Sequence, residues 1–168
     1  MEEIINKVAN SVLEVFDLED YYPKQTLHSI DVAQWLTEGI ILKEKDFRES
    51  LKNHDWLPYK DCYVSISCST DAILPAWTYA LVAVNLQSIA IKVVAGSKHD
   101  LLLNLYQEKI EQIDFSIYSN KPVILKGCAI KPVPNEAYVL SIQKLVPFAK
   151  SIMFGEACSA VPLYKVSK

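Results

Sequence analysis

Short apolar runs alternate along the chain with longer segments in which apolar residues recur every three or four positions. The first pattern is typical of strands and the second of helices. The predicted strands are 12–18, 62–67, 90–96, 122–127 and 151–156. The predicted helices are 29–39, 44–56, one that starts at Thr70 or Asp71 and runs through Leu81, 100–113 and 136–146.

Strands that alternate with helices of this length predict an α/β fold built from β-α-β units with right-handed crossovers. We expect a mostly parallel sheet of four to five strands flanked by helices. The 168 residues contain no Gly/Ser-rich linker and fit one domain, 1–168. Within that domain, 1–58 supplies an N-terminal edge strand and covering helices, and 59–168 supplies the β-α-β units.

Three cysteines lie at or just after the ends of predicted strands: Cys68, Cys128 and Cys158. Because the carboxyl ends of parallel strands meet at one edge of a sheet, we expect the three thiols to meet there, where α/β folds bind ligands. Gly127 and Gly155 fall at the same strand ends and allow the backbone to approach a bound cofactor closely. Cys62 starts its strand, and we interpret it as structural.

Three adjacent thiolates repel one another unless a cation compensates their charge. Zinc would use the three cysteines and one further group, and an iron–sulfur cluster is the second metal that fits. The candidates for the further group are Asp71, Glu156, His54 and His99. If the protein is an enzyme, metal-assisted hydrolysis follows from such a site.

A chain without any cofactor fits the same cysteines equally well, because cysteine is a common small apolar core residue. In this alternative the protein is a non-catalytic module that binds a small molecule or another protein. A homodimer is also compatible with the sequence.

The amino-acid composition limits the kinds of partner that we expect the protein to bind. A formal charge of −3 and a pI near 5.6 give no net attraction to nucleic acid. The longest apolar tract, 72–96, is interrupted by Pro75, Asn85, Gln87 and Lys92, which argues against a membrane span. The first ten residues lack the pattern of a signal peptide, so we expect a cytoplasmic protein with reduced cysteines.

Two segments carry a resemblance to a known family: "GIILKEKDFRESLKNHDW" at 39–56 and "AKSIMFGEACSAVPLYK" at 149–165, with "KGC" and "PVP" between them. The chain resembles a bacterial family of about this length that is catalogued as a domain of unknown function. The resemblance extends over the whole chain and implies a stand-alone cytosolic domain. It implies no activity, substrate or ligand.

Overall fold

A computed structural model describes residues 13–127, 130–156 and 159–167. These residues form strands and helices in an α/β arrangement, as the sequence predicts. The strands are β1 Glu14–Asp17, β2 Leu27–Asp31, β3 Tyr63–Ser67, β4 Lys92–Ala95, β5 Pro122–Lys126, β6 Ser151–Phe154 and β7 Val161–Lys165. The α-helices are α1 Glu44–Asn53, α2 Ala76–Leu86, α3 Lys98–Glu111 and α4 Asn135–Leu145.

The strands form two sheets. One has the order β1-β5-β6-β7, in which only the β6–β7 pair is antiparallel, and the other is the parallel sheet β2-β3-β4. The prediction of mostly parallel strands is confirmed, although a single sheet was expected. Backbone packing divides the chain into two compact units, unit 1 with Met1–Tyr22 and Tyr106–Lys168, and unit 2 with Pro23–Leu105. The assignment of one domain to 1–168 stays a prediction.

Unit 2 is built around β3, which lies between β2 and β4. Its buried side chains Val64 and Ile66 pack in a core with Ile30 of β2. The helix α1 contributes Phe47 and Leu51, which are four residues apart and therefore share one helical face. The core thus joins the sheet to a helix whose other face is charged.

Unit 1 is built around β5, which pairs with β1 on one side and β6 on the other. Three consecutive residues of β5, Val123, Ile124 and Leu125, are at most 1% exposed. A strand buried on both faces has such a continuous apolar run rather than an alternating one. The buried side chains Phe16 of β1 and Tyr106 of α3 complete this core.

The helix predicted at 29–39 is wrong. Residues 27–31 form β2, and only Val32–Trp35 turn, as a short 3₁₀ helix. The carboxylate of Asp31 accepts a hydrogen bond from the Ala33 amide at 3.0 Å, so Asp31 is a helix cap as expected, but the helix it caps is one turn long.

The helix predicted to start at Thr70 or Asp71 begins later, at Ala76. Pro75 precedes its first turn, and proline disfavours helical backbone in the residue before it. Thr70 is used instead to close a loop, because its hydroxyl donates to the Gly39 carbonyl at 2.6 Å. The strand β7 was not predicted, because Pro162 interrupts its sequence and its residues are mostly exposed.

The two units repeat one architecture. In each unit, a strand that ends in aspartate leads into a one-turn 3₁₀ helix. After it come a helix, a second strand, another helix and a third strand. Residue 61 corresponds to 120 and residue 96 to 155, which is a constant separation of 59 positions. The same separation relates the amide-to-carbonyl hydrogen bond from Gly96 to Ile66 with that from Gly155 to Leu125. The chain therefore contains an internal structural repeat.

Within the described part of the chain, no helix is long and apolar enough to cross a membrane.

Candidate functional site

The carboxyl ends of β1, β5 and β6 lie side by side in unit 1. These strands are neighbours in the sheet and run parallel, with Asp17 opposite Lys126 and Leu125 opposite Phe154. The edge at which parallel strands end is the usual ligand-binding position of open α/β sheets. The last residues of these three strands are therefore candidate site residues.

A cavity of about 220 Å³ opens at this edge, and we call it the rim cavity. Its lining residues come from the ends of the three strands and the residues that follow them: Asp17, Glu19, Lys126, Gly127, Phe154, Gly155 and Glu156. The lining therefore combines three carboxylates, one ammonium group, one aromatic ring and two glycines.

The charged groups of the rim cavity are paired with one another. The Lys126 ammonium lies 3.0 Å from Glu156 Oε1 and 4.0 Å from Asp17 Oδ2. The hydrogen bond that Lys126 donates to Glu156 raises the pKa of Lys126 above its usual range, and the charges of Glu156, Asp17 and Glu19 add to this effect. Lys126 is thus held in its charged form between carboxylates.

Local backbone structure places the acidic side chains. Asp17 Oδ1 accepts a hydrogen bond from the Glu19 amide at 3.0 Å and so starts the 3₁₀ helix Leu18–Tyr21. Glu19 Oε1 in turn accepts from the Ile130 amide at 2.8 Å. The Glu19 carboxylate therefore connects the segment after β1 to the segment after β5.

Gly127 leaves space for the Tyr138 side chain beside the rim cavity. Its φ of +151° is one that residues with a side chain rarely adopt, and a Cβ at this position would lie 2.7 Å from Tyr138 Oη. The Tyr138 ring in turn packs edge-on against Phe154, with ring centroids 5.6 Å apart. Gly127 therefore allows Tyr138 and Phe154 to form an aromatic wall at the edge of the sheet.

A buried tyrosine, Tyr106, contacts the segment that follows β1. The Tyr106 hydroxyl donates to the Leu18 carbonyl at 2.9 Å. Burial raises the pKa of Tyr106 strongly, and the nearby acidic groups Tyr138, Tyr22, Glu19 and Asp17 raise it further. Tyr106 therefore stays neutral and keeps donating this hydrogen bond.

The corresponding edge of unit 2 has different chemistry. Serines 67 and 97 stand where unit 1 has Lys126 and Glu156. Asp31, the counterpart of Asp17, accepts hydrogen bonds from the Ser69 amide and hydroxyl, and the hydroxyl bond lowers its pKa. The repeat therefore retains the aspartate in both units but surrounds it with charged groups only in unit 1.

Three of the residues predicted from the sequence line the rim cavity: Gly127, Gly155 and Glu156. Cys128 and Cys158 follow β5 and β6 in the chain, but both lie outside the described residues. Their role as metal ligands stays a prediction.

Cys68 belongs to a different sheet from the one that was expected. It follows β3, which lies in the three-stranded sheet, whereas Cys128 and Cys158 follow strands of the four-stranded sheet. The expectation that one sheet edge collects all three thiols is therefore wrong. The repeat pairs Cys68 with Gly127, one position before Cys128, and the Cys68 sulfur lies 3.4 Å from Thr70 Oγ1.

The remaining candidate ligands also lie in unit 2. Asp71 is exposed beside Ile40, Ile41 and Ile73, in a shallow depression. His54 packs among aromatic rings, with its ring centroid 5.1 Å from Trp35 and 4.6 Å from Trp56. His99 is exposed in the first turn of α3.

Among the residues that the structure describes, no group of three or more histidines, cysteines, aspartates and glutamates is arranged to hold a metal ion. Cys62 directly precedes β3 and is buried, with its sulfur 3.2 Å from the Lys60 carbonyl oxygen. This contact agrees with a structural role.

The sequence analysis missed Asp17, Glu19, Lys126 and Phe154. A usable signal was present, since Asp17 and Lys126 are charged residues that directly follow apolar residues of predicted strands, in "VFD" and "VILK". A charged residue at the carboxyl end of a parallel strand is a candidate site residue, whereas the cysteines drew attention one position further on.

Comparisons with known proteins give one match. No curated protein and no solved structure matches the chain. The profile of the family described as "Protein of unknown function (DUF2480)" matches residues 2–166, which is nearly the whole chain and agrees with the resemblance seen in the sequence. The chain therefore belongs to the DUF2480 family.

Proposed function

We propose that the protein binds a small molecule with a positively charged amino group in the rim cavity of unit 1. The observation that carries this proposal is the position of the Lys126 ammonium, 3.0 Å from Glu156 Oε1 and beside Asp17. The carboxylates of Glu156 and Asp17 therefore already bind one ammonium group, that of Lys126.

The size of the cavity supports a small ligand. Its volume of about 220 Å³ is below the roughly 300–1,000 Å³ typical of sites for drug-sized molecules. At roughly 30 Å³ for each water, it has room for about seven waters. A short alkyl amine fits this space, and its apolar part would contact the ring of Phe154, which also favours a cation over its face.

The charge of the cavity disfavours anions. Asp17, Glu19 and Glu156 contribute three carboxylates against the single ammonium of Lys126. A phosphate or carboxylate ligand would be repelled by this surplus of like charge. The site therefore differs from the glycine-rich phosphate-binding edges that other α/β folds use.

Ligand-detected NMR with ethylammonium tests the proposal. A ligand with three non-hydrogen atoms has a ceiling of about −1.5 kcal/mol for each atom, so we expect binding in the millimolar range. Glu156→Gln removes the carboxylate nearest the ammonium and should weaken binding about tenfold, which matches the loss of one charged hydrogen bond. Glu49→Gln changes an exposed acid of α1 and is the matched control. Equal binding by both variants, or none by the wild type, would contradict the proposal.

Zinc is a second candidate, favoured by one specific observation. The neighbouring strands β5 and β6 run parallel in register, and the chain continues from their ends to Cys128 and Cys158. Glu156, between β6 and Cys158, lines the rim cavity. Two thiolates and a carboxylate are a ligand set that zinc accepts.

Metal binding is tested on protein purified without an affinity tag. Zinc held by these residues would stabilise the fold, because the unfolded chain has no preformed site. Elemental analysis should find one zinc for each chain, and a chelator should lower the melting temperature. Cys128→Ser should abolish the chelator effect, whereas Cys62→Ser, which changes the cysteine directly before β3, should retain it. An identical melting temperature with and without chelator, together with no bound metal, would exclude zinc.

A further inference from the structure

We infer that Lys126 is an internal competitor for the rim cavity, so that a cationic ligand binds by replacing its ammonium on Glu156. This inference rests on the proposed function and names the residue that sets its affinity and selectivity. Lys126 occupies the position that the ligand's amino group would take, 3.0 Å from Glu156 Oε1. The ammonium of the ligand and the ammonium of Lys126 cannot both occupy this position beside Glu156 Oε1.

The structure offers Lys126 a second partner. Its ammonium is 4.0 Å from Asp17 Oδ2, and the Lys126 side chain is 29% exposed. A lysine has a flexible stem of four carbons and three donors that can reorient. Lys126 can therefore move toward Asp17 when a ligand takes Glu156, and neither carboxylate loses its positive partner.

Lys126 disfavours doubly charged ligands more than singly charged ones. The three carboxylates of the cavity exceed its single ammonium by two charges, and that ammonium repels every cation that enters. At the same distance this repulsion is about twice as large for a doubly charged ion as for an amine. Replacing Lys126 with an uncharged residue removes this repulsion, and the gain in affinity should be larger for a divalent ion than for an amine.

The repeat indicates that Lys126 is not required by the fold. Its counterpart in unit 2 is Ser67, which ends β3 in the same way that Lys126 ends β5. Both units also share the glycine that follows the third strand, Gly96 after β4 and Gly155 after β6. In both, the amide of this glycine donates a hydrogen bond to the central strand. A neutral side chain at position 126 is therefore compatible with this architecture.

The test compares the affinity of ethylammonium and of Mg²⁺ for the wild type, Lys126→Met and Lys126→Arg. Lys126→Met should bind ethylammonium about three- to fivefold more tightly, which is the range of a partly exposed ion pair, and should gain more for Mg²⁺. Lys126→Arg keeps the charge and should bind like the wild type. Lys144→Met changes an exposed lysine of α4 and should also leave both affinities unchanged.

Each outcome is informative. Lys126→Gln is a second neutral variant, so that a folding defect of one substitution, seen in its proton NMR spectrum, does not decide the result. If wild type binds ethylammonium and both neutral variants bind it more weakly, Lys126 contacts the ligand and the competitor role is wrong while the proposed function stands. If no variant binds ethylammonium, the proposed function fails and the inference fails with it.

Discussion

Asp61 and Asn120 occupy the same position in the two repeats. Both have left-handed backbone, with φ of +56° and +59°. The amide of each donates at 3.0 Å to a carbonyl in the turn after the helix that follows, Ile89 for Asp61 and Phe148 for Asn120. Each residue thus ties the start of its central strand to the end of the next helix while its own backbone is left-handed.

Glycine at either position should stabilise the protein. Left-handed backbone is unfavourable for residues with a Cβ, and glycine removes this cost while keeping the amide hydrogen bond. We expect Asp61→Gly and Asn120→Gly each to raise the free energy of unfolding by about 0.5–1 kcal/mol, measured by urea denaturation. The neighbours Lys60 and Ser119 have φ of −61° and −56°, so glycine there should lower stability instead. A loss of stability at 61 or 120 would contradict this account of the repeat.

The two glycines of the rim cavity should differ in their tolerance of alanine. Both have φ values that disfavour a side chain, +151° for Gly127 and +111° for Gly155. A Cβ at Gly127 would also meet Tyr138 Oη at 2.7 Å, whereas at Gly155 the nearest atom is 3.7 Å away. Gly127→Ala should therefore lower the melting temperature more than Gly155→Ala. Equal losses would mean that the contact with Tyr138 is not limiting.

Alkaline unfolding should depend on Tyr118. Burial, with smaller effects of Tyr21 and Glu14, raises the pKa of Tyr118 to about 12 from 10.0. Because the folded state holds the proton more tightly, this stabilisation is complete below pH 10 and is lost as the pH rises from 10 to about 12. Tyr118→Phe should reduce the slope of the free energy of unfolding over that interval. An unchanged slope in Tyr118→Phe would contradict this account.

Acid stability should depend on Asp31. Hydrogen bonds from the Ser69 hydroxyl and from the Ala33 and Ser69 amides lower its pKa. The stabilisation is present above pH 3.8 and is lost as the pH falls through the lower pKa of the folded state. Ser69→Ala should cost about 1 kcal/mol at pH 7 and reduce the loss of stability between pH 4 and 2. Ser88→Ala, the same substitution at an exposed position after α2, should change neither quantity.

The sequence predicted the elements whose apolar pattern is set locally. The run "PVILK" predicted β5, and Phe47 with Leu51 predicted the buried face of α1. The pattern failed where one short interaction decides the backbone, as at Asp31, whose carboxylate caps a single turn after a strand. It also failed at Pro75, where the ring moves the helix start to Ala76.

The division into two sheets could not be predicted, because strand pairing depends on contacts between distant parts of the chain. The run of β3 and the run of β5 look alike in the sequence, and nothing local assigns them to different sheets. The repeat that explains their likeness leaves few identical pairs, among them Pro75 with Pro134 and Gly96 with Gly155. Gly127, Gly155 and Glu156 lie together at one sheet edge, as the strand ends suggested, while their roles stay predictions and Cys68 follows a strand of the other sheet.

The most direct test of the rim cavity is a titration of ¹⁵N-labelled protein with ethylammonium, followed by amide NMR. The glycines provide an internal comparison, since Gly155 lines the cavity and Gly96 occupies the equivalent position of unit 2. We predict that the amide signals of Gly127 and Gly155 shift with one saturable binding curve while the Gly96 signal stays in place. Equal shifts of all three signals, or none up to tens of millimolar ligand, would contradict the account.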